Sequence, residues 1–110
     1  MAGWFELSKA ANEQFHFTLK AGNGEVILSS EMYTTKASAQ TGIASVQKNA
    51  TDNARYHRAT SANGKFYFTL KASNHQVIGT SQMYGSEASR DAGIVSVTVN
   101  GATEDVRDRS

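Results

Sequence analysis

Along residues 14–21, QFHFTLKA, apolar and polar positions alternate: Phe15, Phe17, Leu19 and Ala21 share one face, His16, Thr18 and Lys20 the other. Residues 65–72, KFYFTLKA, repeat the pattern with Phe66, Phe68, Leu70 and Ala72 against Tyr67, Thr69 and Lys71. A period of two with aromatic content predicts a half-buried strand whose aromatic face meets the core. A turn follows each. In GNGE, Asn-Gly accepts the positive φ of a tight hairpin. SNHQ keeps Asn74 and places His75 where Gly24 stands, and histidine enters left-handed conformations more readily than most non-glycine residues. EVILSS and QVIGTS then read as third strands. Upstream, WFELSK and RYHRAT read as first strands, joined to the second by the turn-like AANE and SANG.

The period then changes. TTKASAQTGIASVQKN sets Ala39, Gly42, Ile43 and Val46 in one helical stripe, and GSEASRDAGIVSVTVN repeats its main part with Gly93, Ile94 and Val97. Thr35 and Ser86 stand where a hydroxyl can cap the first turn. Asn49 and Asn100 stand where a left-handed stop is expected. The Val97-Thr98-Val99 run has poor helix propensity, so the second helix is expected to fray early. Gly42 and Gly93 cost the helix roughly 1 kcal/mol each against alanine. Their place on the apolar stripe implies close approach of helix backbone to sheet side chains. Phosphate binding by a lone mid-helix glycine is the sharper and weaker reading.

Residues 15–50 align with residues 66–101 without gaps, and 19 of the 36 positions are identical. The chain is a tandem duplication with a period of 51 residues. Taken alone, a βββα unit of about 50 residues buries too little surface and leaves an unpaired edge. Two such units that merge their sheets share one core, as a homodimer does, within one chain. The expected fold class is α+β: two tandem βββα repeats in one merged antiparallel sheet, both helices on one face. Residues 4–50 form repeat 1 and residues 55–101 repeat 2. Residues 102–110 form a tail with a short final strand, and the whole is a single domain expected to be a monomer.

The 110 residues include no cysteine, which excludes disulfides, thiolate metal sites and cysteine nucleophiles and fits a reducing compartment. No apolar run approaches the roughly 18–20 residues that span a bilayer, and MAGWFELSKA lacks the features of a signal peptide. A cytoplasmic protein with no membrane partner is expected. Net charge is +1, too close to neutral to announce nucleic-acid binding.

The pattern F.FTLKA.N…VI..S.MY…AS…GI.SV, present in both copies and reading FYFTLKA in the second, resembles the YegP-like family of small bacterial proteins. The resemblance extends over nearly the whole chain, including the MAGWFELSK opening. It implies β(3)-α-β units that assemble one sheet and exchange their last strands, which gives residues 105–108 the role of an exchanged strand. It implies no activity and supplies no catalytic residues.

Residue chemistry is similarly sparse. The three histidines, His16, His57 and His75, have repeat partners Tyr67, Glu6 and Gly24, and no pair has metal-ligand spacing. No metal or cofactor is expected. Glu25 and Glu31 become Gln76 and Gln82, so twin carboxylate sites built on these positions are excluded, while an enzyme with one asymmetric pocket is not. No G-x-S-x-G elbow surrounds Ser30, Ser81, Ser45 or Ser96. Tyr33 and Tyr84, with Met32 and Met83, read as packing plugs at the strand–helix corner, with a ligand-facing tyrosine pair as the alternative.

The face opposite the core is the most interesting surface. Alternation puts Trp4, His16, Lys20, Arg55, His57, Tyr67 and Lys71 there, with Glu6, Thr18 and Thr69. The ordinary reading is a solvated sheet face. The functional reading is a small non-enzymatic binding or interaction module that uses this face for a protein. Aromatics interleaved with cations also suit stacked bases and phosphates, so single-stranded nucleic acid is the alternative partner.

Overall fold

The computed structural model describes residues 3–110. The first three strands are β1 (Trp4–Lys9), β2 (Phe15–Lys20) and β3 (Val26–Ser30), followed by α1 (Lys36–Asn49). A 3-10 turn at Asn53–Arg55 leads to β4 (Tyr56–Thr60), β5 (Phe66–Lys71), β6 (Val77–Thr80), α2 (Glu87–Asn100) and β7 (Val106–Asp108). Among the described residues the strands form one seven-stranded sheet in the order β4-β5-β6-β3-β2-β1-β7. The halves join where β3 pairs with β6 through Ser29↔Thr80 and Ser30↔Gly79.

Six strands pair antiparallel as the pattern predicts; β7 runs parallel to β1, which makes the sheet mixed. The physical reason lies in the repeat. Each helix sends the chain to the far edge of the other half. After α1 the chain arrives as β4 and pairs with β5. After α2 it arrives beside the first half, where β1 already holds the place next to β2. The tail therefore adds outside β1, with a first strand's direction. The expected strand exchange is realised this way.

Registers in the two halves correspond with an offset of 51. Phe5↔Leu19 and Leu7↔Phe17 become Tyr56↔Leu70 and Arg58↔Phe68, and each second strand has a bulge just before its terminal lysine. The inward set Phe5, Leu7, Phe17, Leu19, Leu28, Phe68 and Leu70 is fully buried under Val46 and Val97 of the helices. Aromatic packing is doubled too. Phe17 stacks on Tyr33 at 6.2 Å and Phe68 on Tyr84 at 6.5 Å, while Phe5 and Tyr56 meet them edge-on.

The stripe glycines are explained by these rings. A Cβ at Gly42 would stand 2.5 Å from the Tyr33 hydroxyl and 2.9 Å from Phe17, and one at Gly93 would stand 2.7 Å from Cζ of Tyr84. Where the halves meet, the copies complement rather than match. A Cβ at Gly79 would lie 2.8 Å from Leu28, its own repeat counterpart, and one at Gly101 would lie 2.5 Å from the Cβ of its counterpart Ala50. Side chains in both copies at either place would collide, so one copy carries a side chain and the other is glycine.

Thr35 and Ser86 cap as expected, accepting from the Ser38 and Ser89 amides. The helix ends differ from expectation. Asn49 and Asn100 are the last helical residues, and the caps Ala50 and Gly101 keep right-handed φ of −61° and −68°. Each asparagine donates to a carbonyl four residues back, Ser45 or Ser96, and is buried. Asn100 also accepts from the Gly3 amide at 2.8 Å. Neither residue is needed as a left-handed stop. Nor does α2 fray early; it runs 14 residues like α1, because burial of Ile94 and Val97 outweighs weak propensity.

Candidate functional site: the outer face of the sheet

The seven face residues named from the pattern do not form one patch. Ladder pairing puts Trp4 opposite Lys20 and Glu6 opposite Thr18 at one side of the sheet. His57 lies opposite Thr69 at the other side. Between them runs a row of hydroxyls, Thr69, Thr80, Ser29 and Thr18. From β1 to β4 there are five strand spacings, about 24 Å. His16 and Tyr67 each begin a second strand, and those strands run in opposite directions, so the two rings lie at opposite ends of the face.

The first corner is internally satisfied. Trp4 donates its indole N–H to Glu6 Oε2 at 2.9 Å, and Lys20 Nζ stands 3.2 Å from the same oxygen. The indole bond, with help from Lys20, holds the Glu6 carboxyl below its ordinary range. From β7, Arg107 lays its guanidinium over the Trp4 ring at 4.1 Å and reaches Asp105 at 3.2 Å. Trp4 is therefore not an open stacking platform, as the alternation suggested; the tail covers it. Sequence reasoning missed Arg107, although its place in the exchanged strand would have put it beside β1.

The second corner is basic instead. Trp4, Glu6 and Lys20 correspond to Arg55, His57 and Lys71. Arg55 sits in the 3-10 turn rather than in the strand. Its Nε is 3.1 Å from Asp52 Oδ2, yet the N–H does not aim at that oxygen and Nε has no hydrogen-bond partner. Arg55, His57, Lys71 and His75 line a depression of about 180 Å³ with Ala54, Tyr56 and Ala72. No strand covers this edge among the described residues.

Tyr33 is both plug and wall. It packs on Phe17 and lines a cleft of about 440 Å³ with Glu31, Ser38, Thr41 and Ser45 on one side and Asn74 and Gln76 on the other. Burial, with the nearby Glu31 charge, pushes its phenol up. The serine and threonine groups of α1 largely serve the helix itself: Thr41 donates to Ala37, and Ser38 accepts from Thr35.

A single sheet whose halves each hand the strand after their helix to the other half defines the class: a duplicated α+β protein with an exchanged final strand. The chain belongs to the family described as a domain of unknown function, DUF1508, which matches twice, at residues 10–56 and 61–108. The family unit thus starts at the second strand and ends in the strand after the helix. The chain is 61% identical over its whole length to the UPF0339 protein YegP of Escherichia coli, the full length of that protein. A UPF0339 protein of Acinetobacter baylyi is 63% identical over 98% of this chain and 97% of its own. The solution structure of the E. coli protein of unknown function yegP superposes with a TM-score of 0.94 at 60% identity, covering 99% of this chain and 94% of that one. The structure of a UPF0339 protein from Shewanella oneidensis gives 0.93, covering 98% and 92%.

Proposed function

We propose that the protein is a non-enzymatic binding module of the cytoplasm whose recognition surface is the basic corner of its second half, on Arg55, His57 and Lys71. One observation carries the reading. At corresponding positions the first half neutralises its charges internally and covers them with the tail, whereas the second half gathers Arg55, His57, Lys71 and His75 around a depression where, among the described residues, Asp52 is the one carboxylate in ion-pair contact with them. Two permanent cations, Arg55 and Lys71, held with two imidazoles beside a single paired carboxylate favour an anionic ligand. An approximate twofold relation between the halves supports a monomer that keeps one corner for itself and offers the other. A cysteine-free chain and, among the described residues, no helix long and apolar enough to cross a membrane support the compartment.

The surface suits an acidic protein better than a nucleic acid strand. Successive bases need adjacent ring faces. Here Trp4 is covered, and Tyr67 lies far from it. Titration of the isotope-labelled protein with poly-glutamate and with a single-stranded oligonucleotide, at about 50 mM salt, tests this. Poly-glutamate is expected to shift Arg55, His57 and Lys71 together. Shifts confined to the Trp4 corner or the Tyr33 cleft would overturn the assignment.

A further inference from the structure

The tail strand shows what an edge of this sheet accepts. On the β1 side, Phe5 N–H donates to the Asp105 carbonyl at 2.9 Å and the Leu7 carbonyl accepts from Arg109 N–H at 2.7 Å. Phe5 and Leu7 therefore point their backbone groups outward. The corresponding residues in β4 are Tyr56 and Arg58. Tyr56 N–H is taken by the Asn53 carbonyl of the 3-10 turn. Beyond that point the β4 edge meets no strand among the described residues.

The helix beside this edge is also prepared. On the first half, Val106 of β7 shares a shallow groove with Gln40, Ile43, Ala44 and Gln47 of α1. The corresponding residues of α2 are Asp91, Ile94, Val95 and Thr98. Asp91 binds Arg58 of β4 at 3.0 Å, and Thr98 reaches the Tyr56 hydroxyl at 3.4 Å, so this helix face borders the edge. On it Val95 is 61% exposed and Val99 73%, where α1 carries Ala44 and Lys48. Apolar side chains left in water next to unpaired strand groups mark a place where a strand can dock.

Charge selects the occupant. Arg107 of β7 faces outward beside Glu6 and Trp4, and Asp108 pairs with Lys36. Along β4 those partners become His57, Arg55 and Glu87. A second copy's tail would set Arg107 against His57 and Arg55, and Asp108 near Glu87. Two β4 edges paired antiparallel about Arg58, the middle of the strand, would oppose Arg58 to Arg58. Both arrangements juxtapose like charges.

Resting on the binding reading above, we propose that the β4 edge takes an extended acidic segment of a partner protein as an eighth strand, parallel to β4. Its residue opposite Tyr56 is apolar and packs on Ile94 and Val95. The next residue is acidic and lies beside His57 and Arg55. The one after is uncharged or basic, toward Glu87.

The probe is a synthetic peptide copying residues 102–110 with Arg107→Glu and Asp108→Thr; the unaltered tail peptide is the control. Each is titrated to about 1 mM into the isotope-labelled full chain. The altered peptide should shift the Arg58 and Thr60 amides, slow Arg58 amide exchange and bind at least about 10-fold tighter than the control, a gap of about 1.4 kcal/mol. H57E, at an exposed position, should reverse that preference. Shifts at Arg55, His57 and Lys71 without protection of the Arg58 amide would overturn strand addition and leave the binding surface standing. Equal binding of both peptides, or indifference to H57E, would overturn the charge argument. Absence of any response in the second half would overturn both proposals.

Discussion

At the β1 edge a glutamate, an indole, a lysine and an arginine close on one another under a parallel strand; at the β4 edge the positions of Trp4, Glu6 and Lys20 carry Arg55, His57 and Lys71, and among the described residues no strand covers them. The interior shows the reverse. Phe17 and Phe68, Leu19 and Leu70, Tyr33 and Tyr84, Gly42 and Gly93 remain paired, each doing the same packing in its own half. Duplication fixes the shared core, since either copy must fill the same volume. It frees the edges, where the tail can lie on one side only. The copies also diverge at the join, where Leu28 faces Gly79 and Ala50 faces Gly101. A true homodimer must use one residue on both sides of its axis; a fused chain can set a side chain against glycine.

The sharpest test of core equivalence is to fill the glycines. Gly42→Ala gains up to about 1 kcal/mol of helix propensity. It also forces a methyl against the Tyr33 hydroxyl and Phe17, and overpacking of that kind costs about 1–3 kcal/mol. Crowding should win because Phe17, 2.9 Å from the added methyl, is fully buried and cannot step aside, even though Tyr33 borders the cleft. Gly93→Ala should behave alike. Urea unfolding is expected to show a loss of about 1–2 kcal/mol for each. Tyr33→Phe added to Gly42→Ala removes the closest contact and should recover part of the loss. A neutral Gly42→Ala would end the close-approach explanation, and unequal costs in the two halves would break the comparison.

Tyr56 provides a smaller, one-sided effect. Its hydroxyl donates to the Ala50 carbonyl at 2.6 Å, fastening the end of α1 to β4. Phe5, its counterpart, fills the equivalent core position with no hydroxyl. Tyr56→Phe should cost about 1 kcal/mol, the ordinary worth of a buried hydrogen bond, with an unchanged urea slope. A cost near zero would mean that water replaces the phenol at the helix end.

Much of this arrangement is legible in the residues. Alternation in QFHFTLKA and KFYFTLKA assigns the buried face correctly because one wrong phase would expose every phenylalanine. Thr35, Ser86 and His75 act locally as their chemistry suggests, His75 at φ 69° in the turn. Glu13 also takes a positive φ, 64°, where its counterpart is Gly64, and nothing in glutamate announces it. Helix ends escape for a different reason: Asn49 and Asn100 are held by burial and tertiary contacts, which outweigh their cap preference. The outer face is the least legible part. Alternation says which side a residue takes, while the distance between Trp4 and His57, and the covering of Trp4 by Arg107, depend on strand order and on the exchanged tail.

The tail's attachment offers the mildest way to sharpen the contrast between edges, because it works on one strand. Asp108 meets Lys36 at the start of α1, and Ser110 adds its hydroxyl and its amide. Lys36 first, then Ser110, brings the Asp108 carboxyl down to about 2. A carboxylate held below its unfolded value stabilises the folded form only while ionised. Its contribution is therefore complete above the ordinary aspartate value of about 3.9 and disappears as pH falls through about 2. Amide exchange at Arg109, whose N–H donates to Leu7, should stay slow down to about pH 4 beyond the intrinsic pH dependence, then quicken toward about pH 2. Lys36→Gln should move that transition up toward the ordinary value, and Asp108→Asn should abolish it. The pair is solvent-exposed, so the global unfolding midpoint should scarcely change. The β4 edge has no tail and should show no counterpart at Arg58. A transition at the ordinary aspartate value in the unaltered chain would show that Lys36 does not hold the strand, leaving the backbone ladder to β1 as its attachment.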